Sequence, residues 1–208
     1  NSAIKKIDFE KKLWLVTLEN NKKIKYKNII LTCPHPQVKN LTKKYLSKKN
    51  LFNNVNMMPN ITVITAFKNS FCSNISSIQF NKDDIISWAA NENSKNRFKT
   101  DLCLWTIQAN LIWSKKYIKN YKNNKNKIKN ILIDSFLSRT GFANKNKVFS
   151  DIHGWKYAYN FKKTKIKSYW SKKYKLGVCG DWFIGPKAEH AWLSANNLYF
   201  KTKKNLLR

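Results

Sequence analysis

"LGVCGDWFIGPKAEHAWLSANNLYF", Leu176–Phe200, holds three of the chain's five glycines, Gly177, Gly180 and Gly185. A short apolar run ends in Gly180 and Asp181, and a helical pattern follows Pro186. That order predicts a buried strand over "KLGVCG", a turn over "DWFIG", and a helix with Pro at its first position. Ala188, Ala191, Trp192, Ala195 and Leu198 share one stripe of that helix and form its expected inward face. A strand that turns at glycine into a helix N-terminus presents free N–H groups and the positive end of the helix dipole, an arrangement that receives anions. A carboxylate at the strand end accepts hydrogen bonds from a sugar hydroxyl. Chain reversal alone also produces such junctions.

Upstream, "KLWLVTLE" alternates as a strand, and "IKYKNIILTCP" continues as strand until Pro34 ends it. "NIILT" has the continuous apolar character of a strand buried on both faces. "HPQVKNLTKKYLSKKNLF" reads as a helix with Leu41, Tyr45 and Leu46 inward. "PNITVITAFKNSF", "SSIQF", "DIISWAANEN" and "TDLCLWTIQAN" are β-branched or aromatic runs between Asn and Ser turns, and predict an antiparallel sheet. Asn110 caps the next helix, and Gly141 stops a helix whose face is Ile128, Ile131, Leu132, Phe136 and Leu137. "KVFSDIHGWKYAYNF" is strand, and "KKTKIKSYWSKKYK" reads as a polar loop.

The 208 residues are 42% hydrophobic and include eight Trp, which excludes a disordered tail. No apolar run reaches the length of a transmembrane helix. Cys33, Cys72, Cys103 and Cys179 stand far apart, without the close pairs that zinc requires. Cys33, Cys103 and Cys179 follow apolar residues and read as reduced, buried hydrophobes of a cytoplasmic protein, and no metal site is expected. The net charge of +30 permits nonspecific association with nucleic acid. Of the 41 basic residues only Arg97, Arg139 and Arg208 are Arg, so the forks that read bases and phosphates are nearly absent. Abundant Lys, Asn and Ile are also what AT-rich codons produce. The two readings of the charge are compositional drift and a basic nucleic-acid-binding protein.

Five segments together resemble the renalase-like branch of the FAD-dependent amine oxidase superfamily. "CGDWFIGPKAEHAWLS" resembles its C-terminal flavin motif. "IILTCPHPQ", "ISWAANENSKNR", "LWTIQANLIWS" and "HGWKYAY" resemble further family segments in the same order, so the likeness runs from Ile29 to Ser194. The resemblance implies a mixed α/β fold: part of an FAD-binding Rossmann-like domain plus an antiparallel-sheet substrate domain. It divides the chain into residues 1–32 (FAD domain), 33–160 (substrate domain) and 161–208 (FAD domain). It implies FAD as cofactor, held by Gly180, Asp181, Gly185, Lys187, Ala188 and Glu189, with Asp181 on the ribityl chain. Trp88, Trp105, His153, Trp155 and Tyr157 would face a small-molecule substrate, an amine or a dihydronicotinamide, which gives up a hydride. Core packing is the competing reading of each Trp, and no acid–base pair stands out as catalytic. The family's Gly-x-Gly-x-x-Gly motif does not occur here, since no glycine precedes Gly141. The N-terminal dinucleotide-binding βαβ unit is therefore expected to be missing, which leaves an inactive, truncated remnant as an alternative. His190 and Ala195 stand where the family pattern has Gly, and "SKNR" lacks the turn residues of the family segment.

Overall fold

The computed structural model describes residues 2–46, 55–68, 74–82, 84–97, 99–141 and 147–206. Cys72, and the end of the helix expected after Pro36, lie outside them. The chain forms two compact units, residues 1–57 with 159–208, and residues 58–158. The divisions expected at 32/33 and 160/161 thus differ from the observed ones. The first moves because the helix His35–Leu46 (α1) puts Val38 and Leu46 into the core of the first unit.

In that unit, β1 (Ile4–Glu10), β2 (Leu13–Leu18) and β3 (Lys23–Tyr26) form an antiparallel meander. Lys11 and Lys12 both have positive φ, 48° and 64°, in the two-residue loop between β1 and β2. That is the geometry of a type I′ turn, which normally selects Asn and Gly. The long strand expected over "IKYKNIIL" is instead two. β4 (Ile29–Leu31) leaves the meander and joins β10 (Tyr169–Ser171) and β11 (Leu176–Val178) in a second sheet of order β10-β11-β4. β10 falls where a polar loop was expected, and its Tyr169 is buried. β4 pairs with β11 in parallel, Ile30 opposite Gly177.

One face of this second sheet, with Leu31, Leu176, Val178 and Tyr169, joins Trp14 and Val16 in the unit's core. The other face carries the row Ile30, Gly177, Trp170. The helix Ala188–Leu206 (α4) lies over it: a Cβ on Gly177 would stand 3.0 Å from Leu198 and 3.2 Å from Ile30. Glycine here lets the helix approach the central strand closely. β4 is not buried on both faces as expected, because it is the sheet's edge, and Ile30 is 47% exposed.

The second unit is a five-stranded sheet, order β6-β7-β8-β5-β9. Its strands are β5 (Met58–Lys68), β6 (Ser77–Gln79), β7 (Ile86–Asn91), β8 (Leu102–Ala109) and β9 (Lys147–Tyr159). β5, β6, β7 and β8 pair antiparallel, as the alternating runs predicted. Asn110 caps the helix Leu111–Tyr117 (α2), its side chain accepting the Trp113 N–H at 2.7 Å. The helix Lys125–Thr140 (α3) ends at Gly141 with φ 73°, whose N–H donates to Leu137 O. α3 buries Ile128, Leu132, Ile133, Phe136 and Leu137 against Ile61, Val63, Trp105 and Ile107, so Ile133 takes the place expected of Ile131.

Candidate functional site

The junction begins where β11 ends. The Gly180 N–H donates to Ser194 Oγ at 3.0 Å, and that hydroxyl donates to Lys167 O at 2.6 Å. Ser194 is fully buried, so it ties α4 to the strand end. Gly180 has an extended backbone, and its need for glycine is spatial: a Cβ would meet Trp182 Nε1 at 2.7 Å. The same indole donates to Cys33 O at 3.2 Å, joining the loop after β4 to the turn after β11. Trp182 also packs on Phe183 and on His35, which gives His35 the partner its sequence context did not suggest. Burial first, and Lys39 second, hold the His35 imidazole below its ordinary range.

Asp181 opens a single 3-10 turn, Asp181–Phe183. It is half-buried, and Oδ1 accepts the Trp182 N–H at 2.8 Å. Burial pushes its carboxyl up, opposed by that backbone donor and by His190. The carboxylate is therefore under-solvated beside the start of α4. Ala188 is the first residue of that helix, with Glu189 in its first turn. Lys187 and Glu189 are exposed and 3.8 Å apart. His190 folds back: its Nδ1 accepts the Lys187 N–H at 3.4 Å, and its ring fills the space that a Cβ on Gly185 would need, 2.9 Å away.

Of the stripe expected on α4 only Leu198 faces inward. The buried residues of the helix are Ser194, Leu198 and Thr202, whereas Ala191 and Ala195 are exposed and Trp192 is 65% exposed. Ser194 fixes this orientation from outside the helix, its hydroxyl donating to Lys167 O and accepting the Gly180 N–H, while Thr202 bonds Leu198 O of its own helix at 3.0 Å.

The second unit separates the five aromatic and histidine candidates. Trp105 is fully buried against Phe136, on the sheet face that α3 covers, and is a core residue rather than a pocket wall. On β9 a Cβ at Gly154 would meet Ile118 and Tyr121, and Ile152 is buried, so even-numbered residues face the helices. His153, Trp155 and Tyr157 therefore share the opposite face. His153 and Trp155 rings lie 4.3 Å apart, and Trp155 is 54% exposed. Trp88 pairs with Gln108 on that same outer face but three strands away from β9, with β8 and β5 between. The outer face is thus an open aromatic surface, not an enclosed pocket.

Sequence reasoning missed Glu92. It is buried and receives Lys95 at 2.7 Å, Thr106 Oγ1 at 2.7 Å, and Arg97. Burial raises its carboxyl and these donors and cations more than offset that, leaving it below the ordinary range. The Ser-Lys-x-Arg spacing after it was the available signal. All three acceptor partnerships are internal, which makes Glu92 the anchor of the segment after β7. A cavity of about 670 Å³ by Asp84, Asp134 and Arg139 contains none of the expected site residues, and its Asp84 and Arg139 are paired with each other. Among the described residues no cluster of His, Cys, Asp or Glu is suited to a metal, and Cys33, Cys103 and Cys179 are free thiols.

A parallel strand pair ending beside a helix N-terminus, with an antiparallel-sheet unit between its two chain segments in sequence, makes this a mixed α/β protein. Residues 1–109, just over half of the chain, match the family model of flavin containing amine oxidoreductases, and the chain belongs to that family. Its fold is similar to that of a protein assigned as a protoporphyrinogen oxidase from Exiguobacterium sp. 255-15 (TM-score 0.71, 12% identity), covering 100% of this chain and 47% of that one. An oxidoreductase from Methanosarcina mazei (0.63, 13%) is matched over 96% of this chain and 49% of its own. A protein from Pyrococcus furiosus (0.59, 11%) is matched over 97% and 46%. The chain therefore spans about half the length of the solved proteins it matches. No helix among the described residues is long and apolar enough to cross a membrane.

The family is flavin-containing, and the junction suits such a group. Asp181 is a half-buried acceptor short of solvent, and Ala188 stands at the positive end of α4.

Proposed function

We propose that this chain contributes part of the cofactor site and the substrate-facing sheet of an FAD-dependent oxidoreductase of the renalase-like kind. The observation that carries the reading is the under-solvated Asp181 carboxylate between the carboxyl end of β11 and the start of α4. Ligands of open parallel sheets bind at this end of the strands. When bound, flavin supplies the two-electron chemistry. The residues here bind and orient. Asp181 accepts a hydroxyl of the ribityl chain, and the N–H of Ala188 with the α4 dipole favours negative charge near the ring. Gly185, Lys187 and Glu189 shape the turn between them.

The proposed substrate is an amine or a dihydronicotinamide that gives up a hydride, with dioxygen as final acceptor. The outer sheet face bearing Trp88, His153, Trp155 and Tyr157 supplies aromatic surface against which such a planar molecule stacks. Trp105 has no part in it. The division into FAD-domain and substrate-domain segments follows the two compact units, 1–57 with 159–208 and 58–158.

The test is a titration of FAD and of riboflavin into the 208-residue chain and its Asp181→Ala variant, followed by flavin fluorescence. The chain contains no Gly-x-Gly-x-x-Gly turn to cradle a pyrophosphate, so weak binding is expected, with FAD no better than riboflavin. Asp181→Ala should weaken both by roughly ten- to a hundred-fold, the worth of one charge-assisted acceptor. Equal binding by both proteins would remove Asp181 from the cofactor site.

A further inference from the structure

A cavity of about 480 Å³ lies between β10 and the C-terminal half of α4, lined by Ile166, Ser168, Tyr169, Trp170, Lys172 and Lys201. β10 is the edge of its sheet opposite β4, and none of the six residues belongs to the junction at Gly180 and Asp181. Tyr169 turns into the core of the unit, so its neighbours Ser168 and Trp170 turn toward α4. Both meet it there. Ser168 bonds Asn197 and Lys201, and Trp170 shares the row of Gly177, over which Leu198 lies.

The lining is rich in donors and poor in acceptors. Its two charged side chains, Lys172 and Lys201, are both cations, and no acidic residue faces them. Lys201 Nζ donates to Ser168 O at 2.7 Å and to Ser168 Oγ at 3.3 Å, while that hydroxyl donates to Asn197 Oδ1 at 2.8 Å. Ser168 is thereby committed, and an ammonium has three N–H groups, so Lys201 keeps one for the cavity. Burial holds the Lys201 ammonium below its ordinary range, the direction opposite to that imposed by a carboxylate partner. In a chain of net charge +30 two spare lysines alone decide little. The indole of Trp170 decides more. Its Nε1 is buried and meets no acceptor among the described residues, a state that folded proteins ordinarily avoid. An acceptor atom brought in by a ligand satisfies it.

We infer that this cavity binds a small organic phosphomonoester, its phosphate between Lys172 and Lys201 and its organic group against Ile166 and the Trp170 ring. Two ammonium groups match the two charges that such a phosphate carries above its second ionisation at about pH 6. A carboxylate or a phosphodiester brings only one. The phosphate oxygens accept from the spare Lys201 N–H and from the orphan indole. Ile166 and the indole ring give the organic group an apolar wall, which a free phosphate ion cannot use.

The probe is phenyl phosphate, followed in a nitrogen–proton correlation spectrum at the assigned Trp170 indole, one of eight in the chain. No flavin is present, so the outcome is independent of the cofactor reading. The Trp170 indole should shift saturably, with inorganic phosphate and dimethyl phosphate each at least about ten-fold weaker. Binding should weaken as pH falls through about 6, where the phosphate loses its second charge. Lys201→Gln and Lys172→Gln should each lower the affinity about ten-fold or more, the worth of one charge-assisted partner. Lys23→Gln, which removes an equal charge from the exposed face of β3, should leave it unchanged. Equal weakening by all three variants would reduce the effect to diffuse charge and overturn the proposal. So would the absence of a saturable shift at Trp170, or undiminished binding by both cavity variants. Dimethyl phosphate binding as tightly as phenyl phosphate would overturn the monoester assignment, and displacement of phenyl phosphate by riboflavin would return the signal to the cofactor junction.

Discussion

Asp181 carries a cost as well as a role. Its carboxyl is held above the ordinary 3.8, chiefly by burial. A raised acid contributes its favourable share below the unfolded value and loses it as pH rises through the folded one. At neutral pH the ionised side chain therefore weighs against the folded chain. Asp181→Asn keeps an acceptor for the Trp182 N–H and removes the charge. Its melting temperature should exceed that of the unchanged chain at pH 7, and the two should converge below about pH 4. Flavin retention should fall in the same variant. Higher stability with undiminished flavin would reduce Asp181 to a turn residue. The tryptophans divide as sharply. Trp105→Ala empties a fully buried site against Phe136 and should cost about 3–5 kcal/mol in a denaturant titration. Trp155→Ala, on the open face, should stay within about 0.5 kcal/mol.

Among the elements, the β1–β2 hairpin was the least legible. Lys11 and Lys12 hold left-handed conformations that usually announce themselves as Asn-Gly, so the sequence around "EKKL" shows no turn signal. Only tertiary pairing of Phe9 and Trp14 across the strands imposes the turn. Replacing Lys11 and Lys12 by Asn and Gly should raise stability by about 1 kcal/mol, read as a higher urea midpoint at unchanged slope. The helices were read better where a local device marks them: the Asn110 cap and the Gly141 stop stand where the sequence put them. α4 shows the limit of that method. Its apolar stripe is a poor guide, because only Leu198 of it is buried while Ser194, tied to Gly180 and Lys167, and Thr202 share the inner face. Likewise "SYWS" is polar enough to pass for loop, yet pairing with β11 makes it β10. The junction itself was legible, since glycines, a carboxylate and a helix start are all local signals. The position of Trp105 was not, because strand alternation leaves open which face a helix from elsewhere will cover.

At the scale of the whole molecule the dominant fact is charge, +30 over 208 residues. Several lysines are spread over exposed positions of different parts of the chain: Lys6, Lys44 and Lys187 each pair with a surface or half-buried carboxylate. Exposed pairs of this kind contribute little to stability. A protein that reads a nucleic acid concentrates its cations on one face and interleaves stacking aromatics with them. The outer sheet face supplies aromatics, with the Trp155 and His153 rings 4.3 Å apart and tilted, but no concentration of cations among the described residues. Association with DNA should therefore be driven by counterion release alone. We expect it to be independent of sequence in a filter-binding assay and to fall by about a thousand-fold or more between 50 and 200 mM salt. Trp155→Ala should leave the affinity unchanged at every salt concentration, because no base stacks there. Three- to ten-fold weakening by Trp155→Ala at low salt, or tight binding that persists at 200 mM, would show a built nucleic-acid surface. In that case the aromatic face of β9 would belong to that function rather than to a small substrate.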